Sequence, residues 1–313
     1  MIRLIARRLM ISVPVVFVVT ALSFLLLQSL PGNTADALLG PQATPQEIAG
    51  LTRQLGLDRP LLDQYWSWLS KMVHGNLGES LSNNQSVTSM LNQRLSVSVS
   101  LLAGALIAAI ILGGAIGMLS AARPGILSRA LDLLAVGGLA LPAFWLALIL
   151  VLIFSTKLHL LPAIGYIALG ESPGSWARFL ILPWITLGAT MATIIAKQTR
   201  DAMSEALSAP YITSLRANGT PERALVFKHA LRNAAIPVVT VIGLLFVGAL
   251  STAVITEQIF SLPGLGLAIV TATTNRDIPV IQGIALYLTV IVVIVNLIVD
   301  LAYGWLNPKV RTS

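Results

Sequence analysis

Six stretches of this chain contain no charged residue and are long enough to cross a lipid bilayer. They are Leu9 to Leu30, Leu95 to Ala122, Leu133 to Thr156, Phe179 to Ala196, Asn233 to Thr256 and Ile278 to Val299. A hydrocarbon core about 30 Å thick takes roughly 20 apolar residues at helical rise. No water reaches that core, so each backbone N–H and C=O must be satisfied within its own segment, and each stretch is expected to be a helix. The predicted fold is an all-α integral membrane protein with six transmembrane helices and both termini on one side. Only 11 % of the 313 residues are charged, against about 25 % in ordinary soluble domains, and mean hydropathy is +0.83. The first stretch follows Arg3, Arg7 and Arg8. It is too long for a signal-peptide core and no small-residue cleavage site follows it, so it reads as a retained span.

Charge fixes the orientation. The net charge of +7 could point to nucleic acid, but the cations are interspersed among the spans rather than gathered on a face with aromatics. Thirteen of the twenty Lys and Arg residues fall on one side: Arg3, Arg7, Arg8, Arg123, Arg129, six in the stretch Lys197 to Asn233, then Lys309 and Arg311. By the positive-inside rule that side is the cytoplasm, so both termini are cytoplasmic. The other seven are Arg53, Arg59, Lys71, Arg94, Lys157, Arg178 and Arg276, mostly in one long outer loop whose charge has little influence on topology. Asp300 reads as an inner boundary of the last span, and Asn307-Pro308 ends its helix.

The stretch Lys197 to Asn233 is the long basic segment between two apolar runs, with Lys197, Arg200, Arg216, Arg223, Lys228 and Arg232 against Asp201, Glu205 and Glu222. Its local chemistry is that of a helical hairpin. Pro210 suits a first helical turn, where its missing N–H costs nothing. Asn218-Gly219 stops that helix because Gly accepts the left-handed conformation just past a helix end. Thr220 is expected to cap the next helix, with Pro221 and Glu222 in its first turn. A solvated connector that only sets topology would read similarly.

The outer loop, Pro31 to Arg94, is expected to fold. Thr44-Pro-Gln-Glu47 is a capping box opening a helix that Gly56 closes. Asp58 and Pro60 open a second helix, with Leu61, Tyr65, Leu69 and Met72 at helical spacing before Gly75. Tyr65, Trp66 and Trp68 suit a membrane interface. Within the membrane, Gly113 and Gly117 form a small-xxx-small pair, read as packing inside the subunit in preference to a dimer contact. Pro142 and Pro183 are placed to kink or interrupt the third and fourth spans. After the fifth span, Pro263-Gly264 signals a turn, so the chain is expected to re-enter as a loop and short helix before the sixth. Glu257 lies at that span's edge, where an ionisable side chain is either functional or pairs with a helix end.

Several chemistries are excluded. Without cysteine there are no disulfides, thiol catalysis or Cys-based metal sites. No phosphate-binding loop, His-Glu-x-x-His motif or Gly-x-Ser-x-Gly elbow occurs, which argues against an ATPase or an intramembrane enzyme and for no cofactor or metal on this chain. A secondary transporter is the remaining rival, yet none of the six windows holds the Asp, Glu or His that proton or sodium coupling normally uses. Energy is expected to arrive from outside, at the basic hairpin.

Tyr211, Ile212, Arg216, Ala217 and Gly219, followed by His229-Ala-Leu-Arg-Asn-Ala234 and Pro237, resemble the cytoplasmic signature loop of ABC importer permeases of the peptide and nickel branch. Leu55-Gly-Leu-Asp58, Pro60, Gln64-Tyr65 and Gly75-Asn-Leu-Gly78 resemble the insertion of the first, B-type permease with a long outer loop. Thr256-Glu-Gln-Ile-Phe260 and Pro263-Gly-Leu-Gly266 also recur in that family, near the outer gate. The chain departs from the family at Thr213-Ser214-Leu215, where Arg-Thr-Ala is usual, at Asn218 for a common Lys, and at Asn33 and Asn76 for Asp.

The resemblance implies a permease of the prokaryotic inner membrane, in a type I importer fold, moving di- or oligopeptides. Nickel chelates, glutathione and opines are cargoes of relatives. It implies a homologous second permease, two cytoplasmic ATPases carrying ATP and Mg, and an extracytoplasmic solute-binding protein. Tyr211, Ile212, Leu215, Arg216, Ala217, Gly219 and Pro221 become candidates for ATPase coupling, and Glu257, Phe260, Pro263 and Gly264 for the outer gate. The expected division is residues 1–30 for the tail and first span, 31–94 for the outer insertion, 95–303 for the permease core with its coupling loop 197–235, and 304–313 for the tail.

Overall fold

The computed structural model describes residues 2–28, 39, 42–54, 56–122, 125, 137 and 141–306. Its helices are α1 (Ile2–Gln28), α2 (Pro45–Gln54), α3 (Leu61–Val73), α4 (Val87–Ala122), α5 (Ala143–Lys157), α6 (Pro173–Ser208), α7 (Pro210–Ala217), α8 (Glu222–Ile259), α9 (Leu265–Thr274) and α10 (Ile278–Leu306). The described residues hold one antiparallel bridge, Glu79 to Ser86. α1, α4, α6, α8 and α10 are long and apolar enough to cross a membrane. They answer five of the six windows. The third is represented by α5, whose last turns, Val151–Lys157, are a π-helix. Most of the residues before it lie outside the described ones, as do Leu30 to Asn33, Leu55, Arg123, Arg129, Asn307-Pro308, Lys309 and Arg311.

The helices outrun the charge-free windows. α4 starts at Val87 rather than Leu95, and α6 continues past Ala196 to Ser208. Lys197, Arg200, Asp201 and Glu205 therefore lie on a helix, and the stretch read as a basic loop is mostly the prolongation of two spans. Charge ends the part that lipid can surround, not the i to i−4 ladder, which continues in water. Pro183 is accommodated inside α6, while Pro142 sits just before α5.

The described chain divides into two compact units. One comprises residues 1–3, 99–262 and 294–313. In it α4 lies close against α6. A Cβ added at Gly113 or Gly117 would come within 2.5 Å of the carbonyl oxygens of Ala192 and Ala196. That places the small-xxx-small pair in packing within the subunit, where hydrogen side chains let two backbones approach. Gly104 lies under the indole of Trp184, whose Nε1 donates to the Ser100 carbonyl at 3.0 Å. Where the end of α6 meets the start of α8, Ala202, Ala206, Ala230 and Ala234 pack around the fully buried Met203.

The other unit comprises residues 4–98 and 263–293. Its core joins Leu77, Val87 and Leu91 to Leu265, Ala268 and Ala272 of α9 and Val280, Ile281 and Ile284 of α10. The capping box forms as predicted: Thr44 N donates to Glu47 Oε2 at 2.8 Å and Glu47 N returns a bond to Thr44 Oγ1. Gly56 and Gly75 close α2 and α3 with positive φ. Tyr65 corrects the interface reading. Its ring is buried between Phe17, Phe24 and Trp68, and its hydroxyl lies 3.0 Å from Thr20 Oγ1. It pins α3 onto α1, and the α1 partners lie some 45 residues away in sequence.

Candidate functional site

The hairpin between α6 and α8 forms with the predicted bounds. α7 begins at Pro210 and ends at Ala217, Asn218 follows, and Gly219 takes φ +79°. Gly219 N and Thr220 N donate to Arg216 O and Leu215 O, which satisfies carbonyls at the helix end. Thr220 does not cap the next helix. The N-cap position falls one residue later, on Pro221, and no side chain bonds to the helix there. Glu222 turns back instead, accepting from Arg216 Nε at 2.5 Å and from Nη2 at 3.2 Å. The hydrogen bond from Arg216 holds the Glu222 carboxyl below its ordinary range, and the same bond raises the guanidinium's affinity for its proton.

The seven candidate coupling residues divide by exposure. Ile212 is 0 % exposed and anchors α7, which packs on α6 and on the π turn Leu225–Ala230 of α8. Leu215 is half-buried, while Tyr211, Arg216, Ala217, Gly219 and Pro221 are exposed. The Tyr211 hydroxyl accepts a bond of 2.7 Å from Asn233 Nδ2. That tie, unread in the sequence, joins the first turn of α7 to α8 across 22 positions. A single buried anchor, one side-chain bond and a two-point ion pair thus bind the hairpin to the helix it precedes.

α8 is continuous from Glu222 to Ile259, about 57 Å at 1.5 Å per residue. It ends in a buried turn of the same compact unit. Leu262 N donates to Glu257 O, Phe260 O accepts from Gly165 N, and Ser261 takes φ +50°. Glu257 and Phe260 are each 1 % exposed. Within the second unit, Pro263 is exposed and Gly264 is buried, with extended backbone at the start of α9, the short helix expected after the turn. Leu265 N there donates to Ser98 Oγ at 2.8 Å.

Sequence reasoning missed Asp277. Its carboxylate is 2 % exposed and accepts from Ser80 Oγ at 2.5 Å, Leu81 N at 3.2 Å, Ser82 N at 3.3 Å and Ser82 Oγ at 3.1 Å. Its own carbonyl receives Ile281 N, so it opens α10. An Asp two residues before Pro279 is a helix-start signal that the sequence did carry.

Among the described residues, five spans and a short helix tied to one of them are the architecture of a multi-pass helical membrane protein. The chain belongs to the family of binding-protein-dependent transport system inner membrane components. That family's pattern matches residues 109–312, and the pattern for the family's N-terminal part matches residues 1–102. It is 37 % identical over 308 residues to a probable peptide ABC transporter permease protein of Sinorhizobium fredii, covering 98 % of each chain. It is 37 % identical over 312 residues to the glutathione transport system permease protein GsiC of Escherichia coli, covering 99 % of each. A putative peptide transport system permease of Brucella abortus matches at 37 % over 309 residues. The protein is therefore a multi-pass inner-membrane permease.

Proposed function

We propose that this chain forms half of the translocation pathway of an ATP-driven importer of di- and oligopeptides. A homologous second permease would supply the other half, two cytoplasmic ATPases the energy and an extracytoplasmic solute-binding protein the cargo. ATP and Mg²⁺ would bind on the ATPases, leaving this chain without a catalytic site or cofactor of its own. Peptide cargo rests on the likeness to peptide permeases. The equal likeness to a glutathione permease supports a short peptide with a γ-linkage as a second reading.

The observation that carries the coupling role is the attachment of α7. Ile212 is buried, so a partner reaches only the opposite face, through Tyr211, Arg216, Ala217 and the Gly219–Pro221 turn with Leu215 at its edge. A displacement imposed on that face passes to α8 through the Arg216–Glu222 pair and the Tyr211–Asn233 bond. α8 then moves as a rod toward Glu257 and Phe260, with Pro263 and Gly264 next in the chain, at the proposed outer gate. ATP-driven closure of the ATPases would thus be converted into outward opening.

The chain has no cysteine, so a single one placed at Ala217 can be labelled with benzophenone maleimide in native membranes. Illumination is expected to give an adduct with an ATPase subunit, whereas the same label at Asn84 of the outer insertion gives none. No ATPase adduct from position 217, with the subunit present in the membrane, would refute the docking.

A further inference from the structure

Where α8 and α10 reach the cytoplasmic side, a groove of about 720 Å³ is lined by Phe227, Lys228, Leu231, Arg232, Ala235, Trp305 and Leu306. Its composition is two-sided. Phe227, Leu231 and Ala235 recur every fourth residue along one stripe of α8, and Lys228 and Arg232 along the neighbouring stripe. The indole of Trp305, 70 % exposed, closes the far wall from α10. Among the described residues neither Lys228 nor Arg232 is in an ion pair; the one described there is Arg216 with Glu222.

The depth of the groove follows from the sequence. Arg232 is the last charge before the apolar window that starts at Asn233, and Lys228 lies one turn further out. Trp305 stands six residues beyond Val299, the end of the last window, about 9 Å along α10. Both walls thus meet where the hydrocarbon gives way to headgroups, the level at which Trp is enriched and Lys and Arg reach outward. The apolar stripe runs from there toward the bilayer interior. A π turn over Leu225–Ala230 sits at this point of α8, and such turns re-aim side chains at working sites.

We infer that this groove is a binding site for an anionic glycerophospholipid of the inner leaflet. Lys228 and Arg232 receive the headgroup phosphate, and one acyl chain lies along Phe227, Leu231 and Ala235 against Trp305. Two cations at one headgroup level attract an anionic lipid where a zwitterionic lipid's own ammonium opposes them. Basic pockets between spans on the cytoplasmic side have the chemistry for this recognition. The site is independent of what the importer carries, so its test reads lipid and not transport.

The purified, assembled complex is exposed to mixed micelles holding equal amounts of phosphatidylglycerol and phosphatidylcholine, and retained lipid is counted by native mass spectrometry. The wild type is expected to retain phosphatidylglycerol preferentially, by about fivefold per cation and about thirtyfold for both. Inorganic phosphate at equal concentration is not expected to displace it, because it lacks the acyl chain. Lys228→Gln with Arg232→Gln abolishes the preference, whereas Lys228→Arg with Arg232→Lys restores it and shows that the fold survived. Trp305→Ala lowers retention of both lipids. Equal retention of the two lipids by the wild type overturns the assignment, and so does a preference that survives the charge-neutral pair. No lipid on the assembled complex also overturns it, and would mean that a partner subunit covers the groove.

Discussion

Removing the carboxylate of Asp277 is expected to release the Ser80–Ser82 turn from the start of α10. Of its four donors, the Ser82 hydroxyl is on an exposed residue that water can satisfy. The buried Ser80 hydroxyl and the N–H groups of Leu81 and Ser82 lose an ionic acceptor. Hydrogen bonds to a charged group contribute about 1.5 to 3 kcal/mol each, and grouped losses are not additive. Asp277→Ala is therefore expected to cost roughly 3 to 6 kcal/mol locally. Asp277→Asn can keep an oxygen toward Ser80 and Ser82 while its NH₂ faces Leu81 N–H, a loss of about 1 to 3 kcal/mol. Hydrogen exchange read by mass spectrometry on the 79–84 peptide of the purified complex measures this directly. Asn should accelerate exchange at Leu81 by about 5- to 150-fold, and Ala by more. A double-mutant cycle between Ser80→Ala and Asp277→Ala should give a coupling of at least about 1 kcal/mol. Unchanged exchange in both variants, or a coupling below about 0.5 kcal/mol, would refute the reasoning.

Other perturbations address the hairpin, the proposed gate and the α2 helix. A Cβ added at Gly219 meets nothing within 4 Å, so the cost of Gly219→Leu is chiefly the left-handed backbone, about 1 to 2 kcal/mol. The complex should assemble and hydrolyse ATP with transport reduced roughly 5- to 30-fold, and normal uptake by a well-expressed variant would count against coupling through this turn. Glu257→Gln should alter stimulation by the binding protein without altering assembly, and a complex that fails to assemble would make Glu257 structural. The Thr44 backbone N–H, and then the Thr44 hydroxyl, hold the Glu47 carboxyl below its ordinary range. A depressed folded pKa stabilises above the unfolded value and is lost as pH falls through the folded one. Amide protection in α2 should therefore fall only at pH below the usual carboxylate range. Glu47→Gln, which keeps a capping oxygen without titrating, should make that protection independent of pH.

Features set by neighbouring residues were legible in the sequence. Pro210 and Asn218-Gly219 bound α7 to the residue, and Thr44 with Glu47 opened α2 as expected. The spans were legible as windows but not as lengths, because the charge that ends a lipid-facing segment leaves the helical ladder intact in α4 and α6. Thr220 failed as a cap because the helix starts one residue later, with Pro221 at its N-cap position, and Glu222 pairs with Arg216 six residues upstream. The contacts that sequence could not supply are those between distant positions. Asp277 reaches back 197 residues to Ser80, and Tyr65 finds Thr20 45 residues earlier. A periodicity marks which face is apolar but not what it meets, so Tyr65 read as an interface residue when it is a buried clasp.

The most direct test of the central claim is to purify the tagged chain from its native membrane and measure ATP hydrolysis by whatever accompanies it, with and without added peptide and binding protein. Co-purifying ATPases whose hydrolysis rises with di- or oligopeptide are the expected result. A lone subunit that moves solute down an ion gradient, with no ATPase attached, would contradict the account.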